Sequence, residues 1–231
     1  MTEPSSIWLR PERGTRGPTS RWGRAQMTAN AIDQADEHGL SAVTMRSVAQ
    51  AVGTAPASLY RVVKSRQELL ELMVDAVIGE FTYEPSLSGS GPDGLLALSR
   101  QARAIYLRHS WMVEAHANQP VLGPHAITYL DWALSTLTEG PHSSQDKLET
   151  IGVLSALVRM LVANELEHGR AGRASREWQE ATAAHLAAQA RDGEHPHVAA
   201  VLVDSATGST EPRDLFDRIV TRTLAGLLPA T

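Results

Sequence analysis

Basic and hydroxyl side chains between residues 44 and 66 have the chemistry needed to contact DNA. Tyr60 carries a hydroxyl that can donate to a phosphate, and Lys64 and Arg66 begin a predicted helix whose positive N-terminal dipole attracts the same anion. Arg46 lies in the first turn of another predicted helix, and a guanidinium can donate to guanine O6 and N7 together. Two alternatives stay open: Arg46 is a solvated helix residue, or Tyr60 is a packed core tyrosine without a DNA contact.

The segment just before Tyr60 has little polar chemistry for contacts to bases. It offers one hydroxyl and otherwise small apolar surface, in the sequence Ala55, Pro56, Ala57 and Ser58. Such residues can pack on thymine methyl groups but cannot make bidentate hydrogen bonds. We therefore expect sequence specificity to depend on Arg46, Ser58 and Arg61, and on a basic N-terminal arm that could enter a neighbouring minor groove. The arginines of this arm, which are alternatively a solubilising tail, are Arg10, Arg13, Arg16, Arg21 and Arg24.

A second group of side chains, spread over several predicted helices, could line a pocket for a small molecule. Aromatic rings with a few amides, imidazoles and carboxylates suit a site that needs apolar walls and a small number of polar groups. Each residue alone is more often a core or surface residue, but the set favours a site for a small, largely apolar effector. The candidates are Trp111, Met112, His116, Asn118, Tyr129, Trp132, Asn164, Glu165, His168 and Trp178.

Motifs for catalysis or for a resident cofactor are weak or missing in the sequence. Gly89–Gly94 formally matches the G-x-G-x-x-G dinucleotide pattern, but no predicted strand precedes it and Pro92 interrupts it. His195 and His197 flank a proline and have no third metal ligand nearby. No G-x-S-x-G elbow, P-loop or H-E-x-x-H pair occurs. We therefore expect no enzyme activity, no cofactor and no metal.

Composition and charge narrow the class of protein further. The 231 residues fit one or two domains, and the lack of cysteine removes disulfides and thiolate sites. No stretch approaches the roughly 18 apolar residues of a membrane span, and the polar N-terminus has no signal-peptide core, so we expect a cytoplasmic protein without a membrane partner. Residues 1–70 carry nine Lys/Arg against six Asp/Glu, whereas residues 71–231 carry twelve against twenty. This asymmetry favours an N-terminal part that binds a polyanion.

Helical periodicity dominates the chain, and no alternation of β-branched residues predicts a strand. A first helix capped by Ser20 ends at Gly39, and a second begins at Thr44 and ends at Gly53. A third covers Pro56–Val62, and a longer helix opens with a capping box of Ser65 and Glu68. The remaining predicted helices are 94–109, 111–117, 124–139, 144–169, 175–191 and 212–228, with a turn near 197–203.

This order of elements predicts an all-α fold with a small N-terminal unit and a larger helical domain. Three helices in about forty residues suit a helix-turn-helix, whose second helix positions the unit and whose third enters the major groove. The prediction divides the chain into a flexible basic arm (1–19), a helix-turn-helix DNA-binding domain (20–66) and a helical regulatory and dimerisation domain (67–231).

Several of these segments, taken together, resemble the DNA-binding domain of the TetR family. They are Thr44–Gly53 (TMRSVAQAVG), Ser58-Leu59-Tyr60 and Val63–Leu70 (VKSRQELL), the last being most similar to the tetracycline-repressor subgroup. The resemblance implies that Arg46 contacts a base, because an arginine at the matching position does so in that subgroup. The sequence departs from the pattern at Arg61, where an aromatic residue is common, and at Val62, where a histidine is common.

Two predicted helices have the apolar surface that an interface between two chains requires. The 144–169 helix is apolar nearly all round, and the 212–228 helix has apolar residues at three- and four-residue spacing. The resemblance implies that such a pair of helices forms a homodimer, which would supply two recognition helices for a palindromic operator. The alternative is a core that is wholly intramolecular.

These observations lead to two hypotheses from different classes. The first is a dimeric repressor that binds a palindromic double-stranded DNA operator and is released by a small-molecule effector. The second is a helical small-molecule-binding or protein-interaction module without useful sequence-specific DNA binding. The small side chains between Gly53 and Tyr60 keep the second hypothesis open.

Overall fold

Helices form the regular secondary structure of the residues that the computed structural model describes. The described residues are 6–10, 23–83, 91–115, 121–170, 173–191, 194–205 and 212–228. The α-helices are α1 (Arg24–His38), α2 (Met45–Ala51), α3 (Pro56–Leu59), α4 (Arg66–Ile78), α5 (Gly91–Arg108), α6 (Met112–Ala115), α7 (Pro124–Thr136), α8 (Ser144–Arg170), α9 (Arg173–Arg191), α10 (Pro196–Ser205) and α11 (Pro212–Leu227). The predicted all-α fold is confirmed. Within those ranges, no helix is both long and apolar enough to cross a membrane.

Several helix boundaries differ from the prediction: α5 begins and α7 ends three residues earlier, and three further elements differ as follows. The first helix begins at Arg24 behind Gly23, and Ser20 lies outside the described residues. Helix α3 is shorter than predicted because the chain beyond Leu59 continues in tighter turns, closed by a bond from the Val62 N–H to the Leu59 carbonyl at 2.8 Å. The expected turn near 197–203 is the ten-residue helix α10.

The three-helix unit α1–α3 is held by caps and by a small apolar core. The Thr44 hydroxyl accepts from the Ser47 N–H at 3.0 Å, and the Ser47 hydroxyl accepts in return from the Thr44 N–H. Gly53 has a φ of 70°, a left-handed conformation that a glycine adopts without steric cost in the turn between α2 and α3. Val48 and Leu59 are fully buried in the core of this unit.

Helix α4 joins this unit to the rest of the molecule. Ser65 caps it by accepting from the Glu68 N–H at 3.2 Å, as predicted. The Glu68 carboxylate does not complete the expected box, because it accepts from the Lys64 N–H at 2.7 Å and pairs with Arg10. Along its length α4 packs against α1 on one side and against α6 and α7 on the other.

Helices α5, α8 and α11 pack against one another and form the centre of the larger domain. Two ion pairs join them at the surface: Arg103 with Glu165 at 2.6 Å, and Arg100 with Asp217 at 2.8 Å. The Arg100 hydrogen bond lowers the pKa of the Asp217 carboxyl. Helices α9 and α10 pack mainly against each other.

The segment Ser6–Arg10 is folded, which departs from the expectation of an unstructured arm over residues 1–19. Ile7 is fully buried, and Arg10 forms a buried ion pair with Glu68 of α4. Trp8 lies against Gly123, where an added Cβ would come within 2.7 Å of the indole ring. Burial of Ile7 and pairing of Arg10 hold this segment on the protein, so Arg10 is not available for a minor-groove contact in this arrangement. The remainder of the predicted arm lies outside the described residues.

Candidate DNA-binding surface and effector cavity

An exposed surface of small, aromatic and basic side chains surrounds α3. It includes the turn before this helix and the turns after it. Ala55, Pro56 and Ala57 are exposed, and Ser58 is half-buried. Tyr60 keeps 51% of its surface exposed, which excludes the alternative of a packed core tyrosine. The other exposed side chains predicted to contact DNA in this part of the chain are Arg46, Arg61, Lys64 and Arg66.

Arg66 has a structural task that the sequence did not indicate. Its Nε donates to the Val43 carbonyl at 2.9 Å, and its Nη2 donates to the Leu40 carbonyl at 2.8 Å. The guanidinium therefore holds the segment between α1 and α2 against the start of α4. A guanidinium has five N–H donors, so this arrangement still leaves donors for a phosphate.

Two further arginines of the predicted arm, Arg21 and Arg24, differ in what the structure describes. Arg21 lies outside the described residues. Arg24 begins α1, and its Nε atom is buried beside a cleft that Trp8, Leu72 and His125 also line. The structure thus places the Arg24 side chain on the side of α1 that faces α4 and α7.

An apolar cavity lies inside the larger domain, between α4, α5, α7 and α8. Its volume is about 70 Å³, which is smaller than a typical ligand site, so a larger effector has to move the surrounding helices apart. No lining residue carries a formal charge, and the polar groups are the hydroxyls of two serines and two tyrosines. The lining consists of Ile78, Phe81, Ser99, Ala102, Ile105, Tyr106, Met112, Tyr129, Leu154, Ser155 and Val158.

Burial keeps the tyrosines of the cavity in their neutral form. Desolvation raises the pKa of Tyr129, and a hydrogen bond with Ser155 opposes that rise in part. Desolvation likewise raises the pKa of Tyr106. Both phenols are therefore protonated at neutral pH, and the cavity offers neutral hydroxyls to whatever enters it.

The predicted ligand-binding residues fall into several groups. Met112 and Tyr129 line the cavity, and Trp132 lies beside it, in ring contact with Tyr83. Glu165 is paired with Arg103, and Trp178 is 68% exposed, so neither belongs to the lining. His168 Nδ1 lies 2.6 Å from the backbone carbonyl of Asn164 on the same helix, and neither of these two residues is part of the lining. His116 and Asn118 lie outside the described residues.

Trp111 belongs to a polar cluster that links the cavity wall to the three-helix unit. Its Nε1 donates to Asp36 of α1 at 2.7 Å, and the same carboxylate lies 2.8 Å from His109 Nδ1. His109 Nε2 lies 3.1 Å from Glu80, just beyond α4, and the imidazole residue is only 5% exposed. We call these four residues, Asp36, Glu80, His109 and Trp111, the Asp36 joint.

The cavity contains residues that the sequence analysis missed. Ser99, Ala102 and Ser155 line it because their side chains are too small to fill the space between the helices. Within an apolar helix these residues are indistinguishable from ordinary tight-packing positions. Tyr106 offered a signal, since it follows Ser99 and Ala102 at helical spacing on one face of α5.

Comparison with known families identifies both halves of the chain. Residues 28–73 match the family described as bacterial regulatory proteins, tetR family. Residues 88–230 match the tetracyclin repressor-like C-terminal domain. Residues 74–87, which include the last turn of α4, lie between the two matches.

Individual relatives agree with these matches. The chain is 33% identical over 132 residues to the HTH-type transcriptional repressor DrrR1 of Streptomyces coeruleorubidus, a match that spans 57% of this chain and about half (49%) of that protein. It is 26% identical over 199 residues to an HTH-type transcriptional regulator of Saccharopolyspora erythraea, covering 85% of this chain and 81% of that one.

Solved structures share the fold. The TetR family protein ActR of Streptomyces coelicolor, in complex with actinorhodin, superposes with a TM-score of 0.75 at 23% identity, over 91% of this chain and 97% of that one. Its complex with (S)-DNPA gives a TM-score of 0.74 at 22% identity, over 90% and 98% of the two chains. With the family matches over both halves, the chain belongs to the TetR family of DNA-binding, ligand-responsive transcriptional regulators, which act as dimers on DNA operators.

Proposed function

We propose that this protein is a dimeric repressor that binds a palindromic operator and leaves it when a small, uncharged, largely apolar molecule enters the cavity. The protein acts by binding and not by catalysis. The observation that carries the proposal is the uncharged cavity, whose wall continues directly into the Asp36 joint with α1. An ion would lose its hydration in this cavity without meeting a charged lining residue, so neutral effectors are favoured.

Exposed apolar side chains on α8 and α11 support the dimer. The inner faces of these helices are buried in the chain's own core, through residues such as Val158 and Leu224. Their outer faces still carry large apolar groups that are 38–51% exposed, and a second copy would cover them. These residues are Leu148, Val153, Met160 and Leu215.

The Asp36 joint supplies a path from the cavity to the DNA-binding surface. Tyr106 and Met112 line the cavity and lie within three residues of His109 and Trp111, respectively. A displacement of the end of α5 therefore moves the groups that hold Asp36, and with it α1. For a two-fold protein the spacing of the two recognition helices must match the DNA turn, so a small shift costs contacts. Couplings of this kind are typically about 1–3 kcal/mol.

A larger side chain inside the cavity should weaken DNA binding as a bound effector does, so the proposal can be tested before the effector is identified. We expect Ala102→Leu, which places a larger side chain in the cavity, to weaken binding to DNA from the region upstream of the protein's own gene by about tenfold. Ile127→Leu, at an exposed position on α7, is the control. The measurement is fluorescence anisotropy of labelled DNA, with DNA of the same length and unrelated sequence as competitor.

The same assay distinguishes the proposed repressor from the alternative of a small-molecule-binding or protein-interaction module. Wild-type protein that shows no preference for the upstream DNA would indicate a binding module without sequence-specific recognition. Equal DNA affinity of folded Ala102→Leu and wild type would instead contradict the coupling between cavity and operator. A melting curve followed by circular dichroism establishes that each variant is folded.

A further inference from the structure

Two buried hydrogen-bond donors beside the cavity have no partner among the described residues. They are the Tyr83 hydroxyl and the Trp132 indole N–H, and both atoms are inaccessible to solvent. Other buried donors of the same kinds nearby are satisfied: the Trp111 N–H bonds to Asp36, and Tyr129 bonds with Ser155. A buried donor without an acceptor is costly, so this pair calls for an explanation.

The two rings that carry these donors are in contact with each other, and one further ring separates them from the cavity. The Tyr83 and Trp132 ring centroids are 5.6 Å apart. The Tyr83 ring also stacks on Phe81 at 6.4 Å, and Phe81 lies 4.7 Å from Tyr129. Since Phe81 and Tyr129 line the cavity, the four rings form a continuous series of contacts that leads from the cavity to the rings of Tyr83 and Trp132. We call Tyr83 and Trp132 the donor pair.

The chemistry of the donor pair selects for an acceptor. An indole N–H can only donate, and burial raises the pKa of Tyr83 to about 12, so its hydroxyl keeps its proton at neutral pH. The surrounding rings favour a flat apolar body, since aromatic faces pack well against one another. A carbonyl oxygen on an aromatic skeleton satisfies both requirements, because it has two lone pairs and no charge.

We propose that the donor pair is the subsite that binds the carbonyl oxygen of an aromatic ketone or quinone effector, with the ring system lying along the wall formed by Phe81 and Tyr129. The inference rests on the proposed effector function of the cavity and specifies its ligand class. It assigns Tyr83, which the sequence analysis did not select, as a specificity-determining residue.

The test uses two probes that differ by one carbonyl. 9-Fluorenone and fluorene share the same three-ring skeleton, and the first carries a ketone oxygen. We expect Tyr83→Phe and Trp132→Phe each to weaken 9-fluorenone binding about fivefold, the size of one net hydrogen bond, while fluorene binding stays within twofold of wild type. The measurement is equilibrium dialysis of the full-length protein, which does not depend on tryptophan emission.

A matched control and a clear contrary result accompany this test. Trp178→Phe makes the same substitution at an exposed indole and should leave the binding of both probes unchanged. If the donor-pair variants weaken both probes equally, the rings act only as an apolar wall and the proposal is wrong. If wild-type protein binds neither probe up to its solubility limit, the assigned ligand class is wrong. Neither result alters the DNA anisotropy experiment, which tests the repressor function separately.

Discussion

Arg46 and Lys64 are both exposed near α3, but their chemistry predicts different effects on DNA binding. We expect Arg46→Ala to cost about 1–3 kcal/mol at the operator and to relax the preference at one base pair. Lys64→Ala should weaken binding to all sequences alike and lower the slope of log K against log salt by about one unit. Anisotropy titrations at several salt concentrations distinguish the two, with the distant exposed Arg213→Ala as control. Identical salt slopes and specificity ratios for Arg46→Ala and Lys64→Ala would contradict these roles.

At the level of single residues, the sequence predicted which side chains suit a binding site better than it predicted which residues they contact. Met112 and Tyr129 were selected as cavity residues, and the structure places both in the lining. Arg66 was expected to contact phosphate, and the sequence did not indicate that two backbone carbonyls also accept from it. Long-range partners of this kind, 23 and 26 residues away along the chain, leave no periodic signal. The cavity itself arises from missing side-chain volume at Ala102 and its neighbours, which composition does not reveal.

Among the helices, the ion pair between α5 and α11 predicts a specific pH dependence. The Arg100 hydrogen bond lowers the pKa of Asp217 from its ordinary value of 3.8. As the pH falls, the Asp217 carboxylate is therefore protonated at a higher pH in the unfolded chain than in the folded protein. The pair therefore contributes stability above pH 3.8 that is lost as the pH falls through the lowered value. Because both side chains are partly exposed, its contribution is below about 1 kcal/mol. Urea unfolding of wild type and Asp217→Asn should differ at pH 6 and converge in acid, and a difference that persists in acid would have another cause.

A single substitution in the Asp36 joint should lower the free energy of unfolding by more than the loss of the Arg100–Asp217 pair does. Asp36→Ala leaves the Trp111 N–H and the buried His109 without their shared acceptor, and we expect it to lower the free energy of unfolding by about 2–3 kcal/mol. The neighbouring Glu37→Ala, at a highly exposed position of the same helix, should change stability by less than about 0.5 kcal/mol. Urea denaturation measures both. Equal stability of the two variants would show that the joint contributes nothing to holding α1 in place.

The helices themselves were largely predictable, because caps and glycine breaks mark their ends. Ser65 is the N-cap that the sequence predicted, and Thr44 and Gly53 lie at the two ends of the second helix as expected, Thr44 as its N-cap and Gly53 in a left-handed turn. The Ser6–Arg10 segment was not predictable from the same signals. Its proline-rich surroundings suggest an open chain, whereas tertiary contacts of Ile7, Trp8 and Arg10 hold it on the protein.

For the whole molecule, the exposed faces of α8 and α11 predict where two chains meet. We expect Leu148→Glu combined with Met160→Glu to give a folded monomer that binds the operator far more weakly, because the charges would be buried in the interface. These positions suit the test better than Leu224, which is buried within its own chain. Ile127→Glu, at an exposed apolar position of α7, is the control. Light scattering measures the mass, and a double variant that is still dimeric would place the interface elsewhere.

The apolar core runs without interruption from Ile7 through α1–α3 to Leu228. The three-helix unit α1–α3 spans only Arg24–Leu59 and buries too little surface to be stable by itself, so it depends on the larger domain for its own folding. Heat should therefore melt the chain in one cooperative transition, with no separate peak for the N-terminal helices in a calorimetric scan. Anything that tightens the larger domain then also protects the recognition helix against unfolding. We therefore expect the effector that releases the protein from DNA to raise the melting temperature of the DNA-binding helices as well.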